Sequence, residues 1–193
     1  MPPKPADEPT VHGDLTLANA FTLARFVIVP FFAVSWYGGD SRRALWLFVI
    51  AVATDVVDGL LARLMKQPSR LGALLDPIAD KLLILVALVI GVVIHLVPSW
   101  LLAVILARDV LLAVGALIFA TRWRDRHGPD AWRPTRIGKY AMALQSGSIA
   151  LVLLASALDI RALMPYTQVA MIVTAVLTIT AGTQYTIRAA RAL

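Results

Sequence analysis

Six long apolar runs, separated by short breaks, restrict what this sequence can fold into. The runs are 17 to 27 residues long, close to the length of about 20 residues that crosses a bilayer as an α-helix. Of the 193 residues, 59% are hydrophobic and 16% are charged, whereas a soluble domain has about 45–50% apolar and about 25% charged residues. The sequence therefore predicts an all-α integral membrane protein with six transmembrane helices. We place these helices at 21–37, 43–64, 71–96, 100–121, 137–158 and 163–189.

Basic residues are distributed unevenly between the two sides of this predicted bundle. Twelve Lys and Arg residues fall on one side and three on the other. Because cytoplasmic loops of membrane proteins collect Lys and Arg, both termini are predicted to be cytosolic. The same bias accounts for the net charge of +6, so we expect a lipid bilayer and no nucleic acid as a partner.

The amino-terminal residues 1–14 are polar and proline-rich. They contain no basic stretch leading into a short apolar core, so we interpret them as a cytosolic tail and not as a signal peptide. Residues 15–193 are predicted to form one transmembrane domain in the cytoplasmic membrane. The chain has no cysteine, which excludes a disulfide framework and thiol chemistry.

Four aspartates, Asp55, Asp58, Asp76 and Asp80, interrupt the second and third apolar runs. A charged side chain at membrane depth is costly and normally faces a bundle interior or a wet cavity. The spacings of three and four residues place each pair on one helical face. Because the connecting loop is short, the two helices are predicted to be antiparallel neighbours, with the four carboxylates gathered at a site that opens toward the cytosol.

Clustered carboxylates repel one another unless a cation neutralises them. Mg²⁺ and Mn²⁺ suit hard oxygen ligands and usually bind substrate phosphates too, so one or two such ions are predicted here. Arg63 lies at the cytosolic rim, where its planar fork suits a phosphate. Gly59, Ala62 and Gly72 are small, which allows close approach of a ligand. Structural ion pairs and a proton relay are the alternative roles for the acids.

The order and spacing of these residues resemble the signature of the CDP-alcohol phosphatidyltransferases, D-x2-D-G-x2-A-R-x8-G-x3-D-x3-D. The fixed positions are filled by Asp55, Asp58, Gly59, Ala62, Arg63, Gly72, Asp76 and Asp80. The resemblance implies an enzyme that transfers the phosphatidyl group of CDP-diacylglycerol to an alcohol with release of CMP, and it implies a homodimer.

The same resemblance implies a role for each residue. Asp55, Asp58 and Asp76 would carry most of the metal coordination. Asp80 would complete the metal set and act as the general base that takes a proton from the acceptor hydroxyl. The CDP-lipid would contact Asp58, Gly59, Ala62, Arg63 and Gly72.

The acceptor alcohol is indicated by other parts of the sequence. Segments 19–25 and 71–81 resemble the branch that makes phosphatidylglycerophosphate from glycerol 3-phosphate. An anionic acceptor needs cations, and the candidates are Arg25, Arg108, Arg136 and Lys139. For Arg108 a structural pair with Asp109 is the alternative, and for Arg136 and Lys139 it is the cytosolic charge bias.

Glycerol 3-phosphate is therefore the predicted acceptor, with one departure from the pattern of that branch. Its members usually carry Arg-Glu where this chain has Arg108-Asp109. This pair is similar to the one in cardiolipin synthases, which use phosphatidylglycerol.

Two other classes of membrane protein also use intramembrane acids. A cation-coupled carrier needs broken helices and acids near mid-membrane, and an intramembrane prenyltransferase has two widely separated acidic motifs, whereas this chain has one set near one face.

Overall fold

The described part of the chain is helical throughout, apart from short turns. The computed structural model describes residues 17–65, 70–122 and 136–192, with the side chains of 23–54, 56–57, 78–117 and 137–187. Its helices are α1 (Leu17–Tyr37), α2 (Ser41–Met65), α3 (Arg70–Val93), α4 (Ser99–Arg122), α5 (Arg136–Leu158), a 3₁₀ turn (Arg161–Leu163) and α6 (Met164–Ala192). The six predicted helices are confirmed, and the ends agree within four residues.

Three stretches of the described chain are long and apolar enough to cross a membrane. They are Ser99–Leu117, Ile137–Leu158 and Arg161–Ile187, and α1 contributes a shorter apolar stretch at Leu23–Tyr37. The all-α class and the multi-pass membrane character are thus supported. Crossing of the bilayer by all six helices, and the cytosolic placement of the termini, remain predictions.

Helix α1 packs against both α2 and α3 and organises the amino-terminal half of the bundle. Its Phe32 and Trp36 are fully buried, with ring centroids 5.6 Å apart. Phe32 also lies 5.9 Å from the ring of Phe48 on α2. Tilted aromatic pairs at such distances add to the free energy gained by burying their area.

Helices α1 and α3 run parallel, because two contacts between them are separated by the same number of residues in the same direction on both helices. Arg25 contacts Asp80, and eleven residues further along each chain Trp36 faces Gly91. A Cβ atom at Gly91 would lie 2.5 Å from a methyl carbon of Val97 and 3.2 Å from the Trp36 ring. Only glycine permits this close packing, which fixes the register of α3 and hence the position of Asp80.

The carboxyl-terminal half is joined by a buried polar seam between α5 and α6. Ser148 Oγ and Thr174 Oγ1 lie 2.7 Å apart, and Gln145 Nε2 donates to Thr178 Oγ1 at 3.3 Å. Hydrogen bonds between helices satisfy polar groups that have no water to bind in lipid. Helix α6 also packs against α4, and α5 against α2, so that both halves form one bundle.

Candidate active site

Asp80 is held on α3 by a buried arginine from α1. The Arg25 side chain is fully buried, and its Nη1 donates to Asp80 Oδ1 at 2.5 Å. The Asp80 side chain is 48% exposed. A charge-assisted hydrogen bond of this kind restrains the carboxylate, so Asp80 combines a fixed orientation with access for a ligand.

Lys81, the residue after Asp80 on α3, lies near a carboxylate of α4. Asp109 on α4 accepts a hydrogen bond from Arg108 Nη1 at 2.7 Å on Oδ1, and its Oδ2 lies 3.7 Å from Lys81 Nζ. The Arg108 side chain is 4% exposed, whereas that of Lys81 is 49% exposed. One carboxylate therefore serves two cations and links α4 to the helix that carries Asp80.

The stem of Arg108 packs near α6 at a glycine. A Cβ atom built on Gly182 would lie 3.7 Å from Arg108 Cγ. Within the described chain, Arg108 Nε is buried and has no hydrogen-bond partner. Burial of an unpaired guanidinium donor is costly. The pair with Asp109, the structural alternative for Arg108, is thus present, and binding of an anion by Arg108 stays a prediction.

The remaining predicted metal ligands are placed by backbone only. Asp55 and Asp58 lie one turn apart on α2, and Asp76 lies one turn before Asp80 on α3. The side chains of Asp55, Asp58 and Asp76 lie outside the described set, and no group of three or more His, Cys, Asp or Glu side chains occurs within it. The gathering of the four aspartate carboxylates at one site therefore stays a prediction. Carboxylate oxygens are suitable ligands for Mg²⁺ or Mn²⁺.

The predicted CDP-lipid residues follow the same helices. Gly59, Ala62 and Arg63 belong to the last two turns of α2, and Gly72 belongs to the first turn of α3. Their side-chain environments fall outside the described set. The helical backbone places them on the stretch of α2 and α3 that also carries the aspartates.

The four predicted acceptor-binding cations differ in their surroundings. Arg25 and Arg108 are buried and bind carboxylates, while Lys139 is exposed in the first turn of α5. Arg136 begins α5, and its side chain lies outside the described set. Sequence reasoning missed the contact of Arg25 with Asp80, because no local spacing signals a pair 55 residues apart.

Comparison with known proteins finds a matching family and several similar proteins. Residues 15–180 match the model of the CDP-alcohol phosphatidyltransferase family. A Cereibacter sphaeroides protein named CDP-diacylglycerol--glycerol-3-phosphate 3-phosphatidyltransferase is 33% identical over 150 residues, which are 75% of this chain and 66% of that protein. A Yersinia enterocolitica protein with the same name is 34% identical over 145 residues, which are 70% of this chain and 75% of that protein.

A third relative carries a different name. A Schizosaccharomyces pombe protein named cardiolipin synthase (CMP-forming) / mitochondrial hydrolase fusion protein is 33% identical over 155 residues. The match covers 74% of this chain and 26% of the fusion protein. The chain therefore spans just under two thirds of the Cereibacter protein and about a quarter of the fusion protein.

Proposed function

Because this chain belongs to the CDP-alcohol phosphatidyltransferase family, we propose that it transfers the phosphatidyl group of CDP-diacylglycerol to glycerol 3-phosphate. The products are phosphatidylglycerophosphate and CMP, and the role is phospholipid biosynthesis. The observation that carries this proposal is the Asp80 carboxylate, half exposed and held by a fully buried arginine within the family signature. The names of the Cereibacter and Yersinia relatives support the choice of acceptor.

Asp55, Asp58, Asp76 and Asp80 would hold one or two Mg²⁺ or Mn²⁺ ions. When bound, these ions neutralise the charge of the pyrophosphate in CDP-diacylglycerol and stabilise the charge of the leaving group. The protein itself supplies orientation: Gly59, Ala62 and Gly72 let the CDP moiety approach the helices, and Arg63 binds a phosphate at the rim.

Asp80 accepts the proton of the acceptor hydroxyl while the hydroxyl oxygen attacks the lipid-side phosphorus. The bond from that phosphorus to the oxygen of CMP breaks, and CMP leaves with the bonding electrons. Chemistry of this kind depends mainly on positioning and on stabilisation of charge. Arg25 contributes by restraining the Asp80 carboxylate, and about half of the Asp80 side chain is exposed.

The phosphate of glycerol 3-phosphate requires a cationic site near Asp80. Arg108 offers a buried donor without a partner in the described chain, and Arg136 and Lys139 at the start of α5 extend the positive field. Phosphatidylglycerol is the second candidate acceptor. It is favoured by the Arg108-Asp109 pair and by the name of the fusion relative.

We place the protein in the cytoplasmic membrane with six spans, cytosolic termini and an active site facing the cytosol. The excess of Lys and Arg on one side supports this orientation. A homodimer is part of the proposal on the ground of family resemblance. The polar residues 1–14 would form a tail outside the transmembrane domain.

An assay of purified protein tests this function directly. With CDP-diacylglycerol and Mg²⁺ or Mn²⁺ present, we expect glycerol 3-phosphate to give CMP release at least tenfold faster than phosphatidylglycerol, inositol phosphate or serine. Chelation with EDTA should abolish release, and added metal should restore it. Faster release with phosphatidylglycerol would select the cardiolipin synthase reaction. No release with any acceptor would overturn the transferase proposal and leave the carrier as the competing class.

Replacement of Arg108 with Lys is expected to weaken binding of the anionic acceptor. Lysine keeps the charge but lacks the planar fork, so the KM for glycerol 3-phosphate should rise roughly tenfold, the equivalent of one charged hydrogen bond. The KM for CDP-diacylglycerol should change little. The control is Arg161→Lys, at an exposed position in the 3₁₀ turn. An unchanged acceptor KM in the Arg108 variant would remove this residue from the acceptor site.

A further inference from the structure

An open groove on the surface of the bundle lies between α2 and α5, away from Asp80, and its space of about 650 Å³ is called the cavity below. Its walls are almost entirely apolar and include Leu45 and Val49 from α2 and Ala150 and Leu154 from α5. Volumes of about 300–1,000 Å³ are typical of ligand pockets. None of the residues assigned to the reaction lines this cavity, so it is a separate feature of the bundle.

One end of the cavity carries a single charged residue, Arg42. Its Nε donates to the carbonyl oxygen of Ala157 at 3.1 Å, and Ser41 and Ser156 meet at 2.7 Å one residue away. These bonds join the start of α2 to the end of α5. Within the described chain, the terminal nitrogens of Arg42 make no hydrogen bond or ion pair. The guanidinium therefore has donors available beside an apolar cavity.

The axial position of Arg42 separates it from the proposed reaction. Arg42 lies in the first turn of α2, thirteen residues before Asp55, which corresponds to about 20 Å along the helix. Trp46, one turn further in, is 67% exposed and lines the same cavity. Arginine and tryptophan together at a helix end are typical of the membrane interface.

We propose that this cavity binds a phospholipid, with the phosphate on Arg42 and an acyl chain along the apolar walls between α2 and α5. The lipid belongs to the leaflet opposite the proposed active site, and it is therefore not the CDP-diacylglycerol substrate. Charge complementarity selects this occupant, because a phosphate matches the available donors of Arg42.

A second copy of this chain fits the cavity less well. In a two-fold symmetric interface the same patch meets itself. The residues lining the cavity include no acid, so two such patches would bring two Arg42 guanidinium groups together with no carboxylate among the lining residues. Burial of an unpaired charge is strongly unfavourable, whereas a phospholipid supplies the missing anion.

The test measures lipid binding by native mass spectrometry of the full chain in detergent. We expect the wild-type protein to bind one dioleoylphosphatidylglycerol more tightly than dioleoylglycerol, which has the same chains and no phosphate. Arg42→Gln should weaken phosphatidylglycerol binding roughly tenfold, the loss of one charged hydrogen bond. Arg43→Gln is the matched control, since Arg43 is adjacent and exposed but does not line the cavity.

A second variant tests the apolar walls independently of charge. A Cβ atom at Gly147 would meet nothing within 4 Å, so Gly147→Leu should fill the cavity without disturbing the fold. It should abolish lipid binding, whereas Ala143→Leu, one turn away and outside the cavity, should not. Equal binding in the Arg42 and Arg43 variants, or equal binding of the two lipids, would overturn the proposal. So would a wild-type dimer that Gly147→Leu converts to monomer, because a second copy would then occupy the cavity.

Discussion

Replacement of Asp80 with Asn is expected to reduce the rate of CMP release by roughly 10³-fold, within the range that general-base catalysis contributes. Asparagine has nearly the same shape and retains an oxygen that accepts the hydrogen bond from Arg25, so the local packing of α1 and α3 is preserved. It does not accept the proton of the acceptor hydroxyl. The effect should therefore fall on turnover and leave the affinity for CDP-diacylglycerol within about threefold of the wild type.

Two measurements make this expectation specific. CMP release under saturating substrates gives kcat, and binding of CDP-diacylglycerol to the variant gives the affinity. The control is Asp159→Asn, an exposed residue beyond α5 with a φ angle of 52°, which asparagine tolerates. Equal loss of affinity and turnover in the Asp80 variant would show that its carboxylate mainly supports binding and would contradict the role as base.

The helices could be predicted from the sequence because the physical signal is local. Apolar runs of membrane length, interrupted by Gly38-Gly39 and Pro98-Ser99, determine where a helix begins and ends. Gly39 has a φ angle of 87° in the turn before α2, as expected of a glycine at such a break. The five breaks between the six helices follow from such signals, and the predicted helix ends lie within four residues of those in the structure.

The lateral arrangement of the helices was not predictable in the same way. A short loop predicts that α2 and α3 are neighbours, yet within the described residues α1 has the larger contact with each of them. Apolar side chains that face lipid look the same in a sequence as those that face another helix. The position of α1 depends instead on the shapes of residues such as Phe32, Trp36 and Gly91, which fit together only in three dimensions.

Charged pairs within one helix could be predicted from the sequence, whereas pairs between helices could not. Arg108 and Asp109 are adjacent, and their pairing was one of two alternatives that the sequence offered. The third partner, Lys81, comes from another helix and has no local signal. The four aspartates were identified by spacing alone, since three and four residues along a helix return to the same face. Only the side-chain surroundings of Asp80 are described among them.

Substitution of Arg25 distinguishes a positioning role from direct binding of the acceptor, the role that the sequence predicted. Arg25 is fully buried and bonds to Asp80, so we expect it to act through that carboxylate. Arg25→Met should lower kcat roughly 100-fold and Arg25→Lys roughly tenfold, since a charged hydrogen bond of about 1.5–3 kcal/mol is lost or weakened. The KM for glycerol 3-phosphate should change less than threefold in the lysine variant.

Partial rescue by lysine is the decisive comparison. A purely structural role would lower the thermal midpoint in both variants and leave kcat of the remaining folded enzyme unchanged. Direct acceptor binding would instead raise the KM for glycerol 3-phosphate at nearly constant kcat. The parallel packing of α1 and α3 favours the positioning role, with a lowered kcat that lysine partly restores, because Trp36 and Gly91 hold the two helices in register eleven residues beyond the ion pair. With the helices fixed there, loss of the Arg25 bond removes one restraint on the Asp80 carboxylate while the backbone of α3 stays in place.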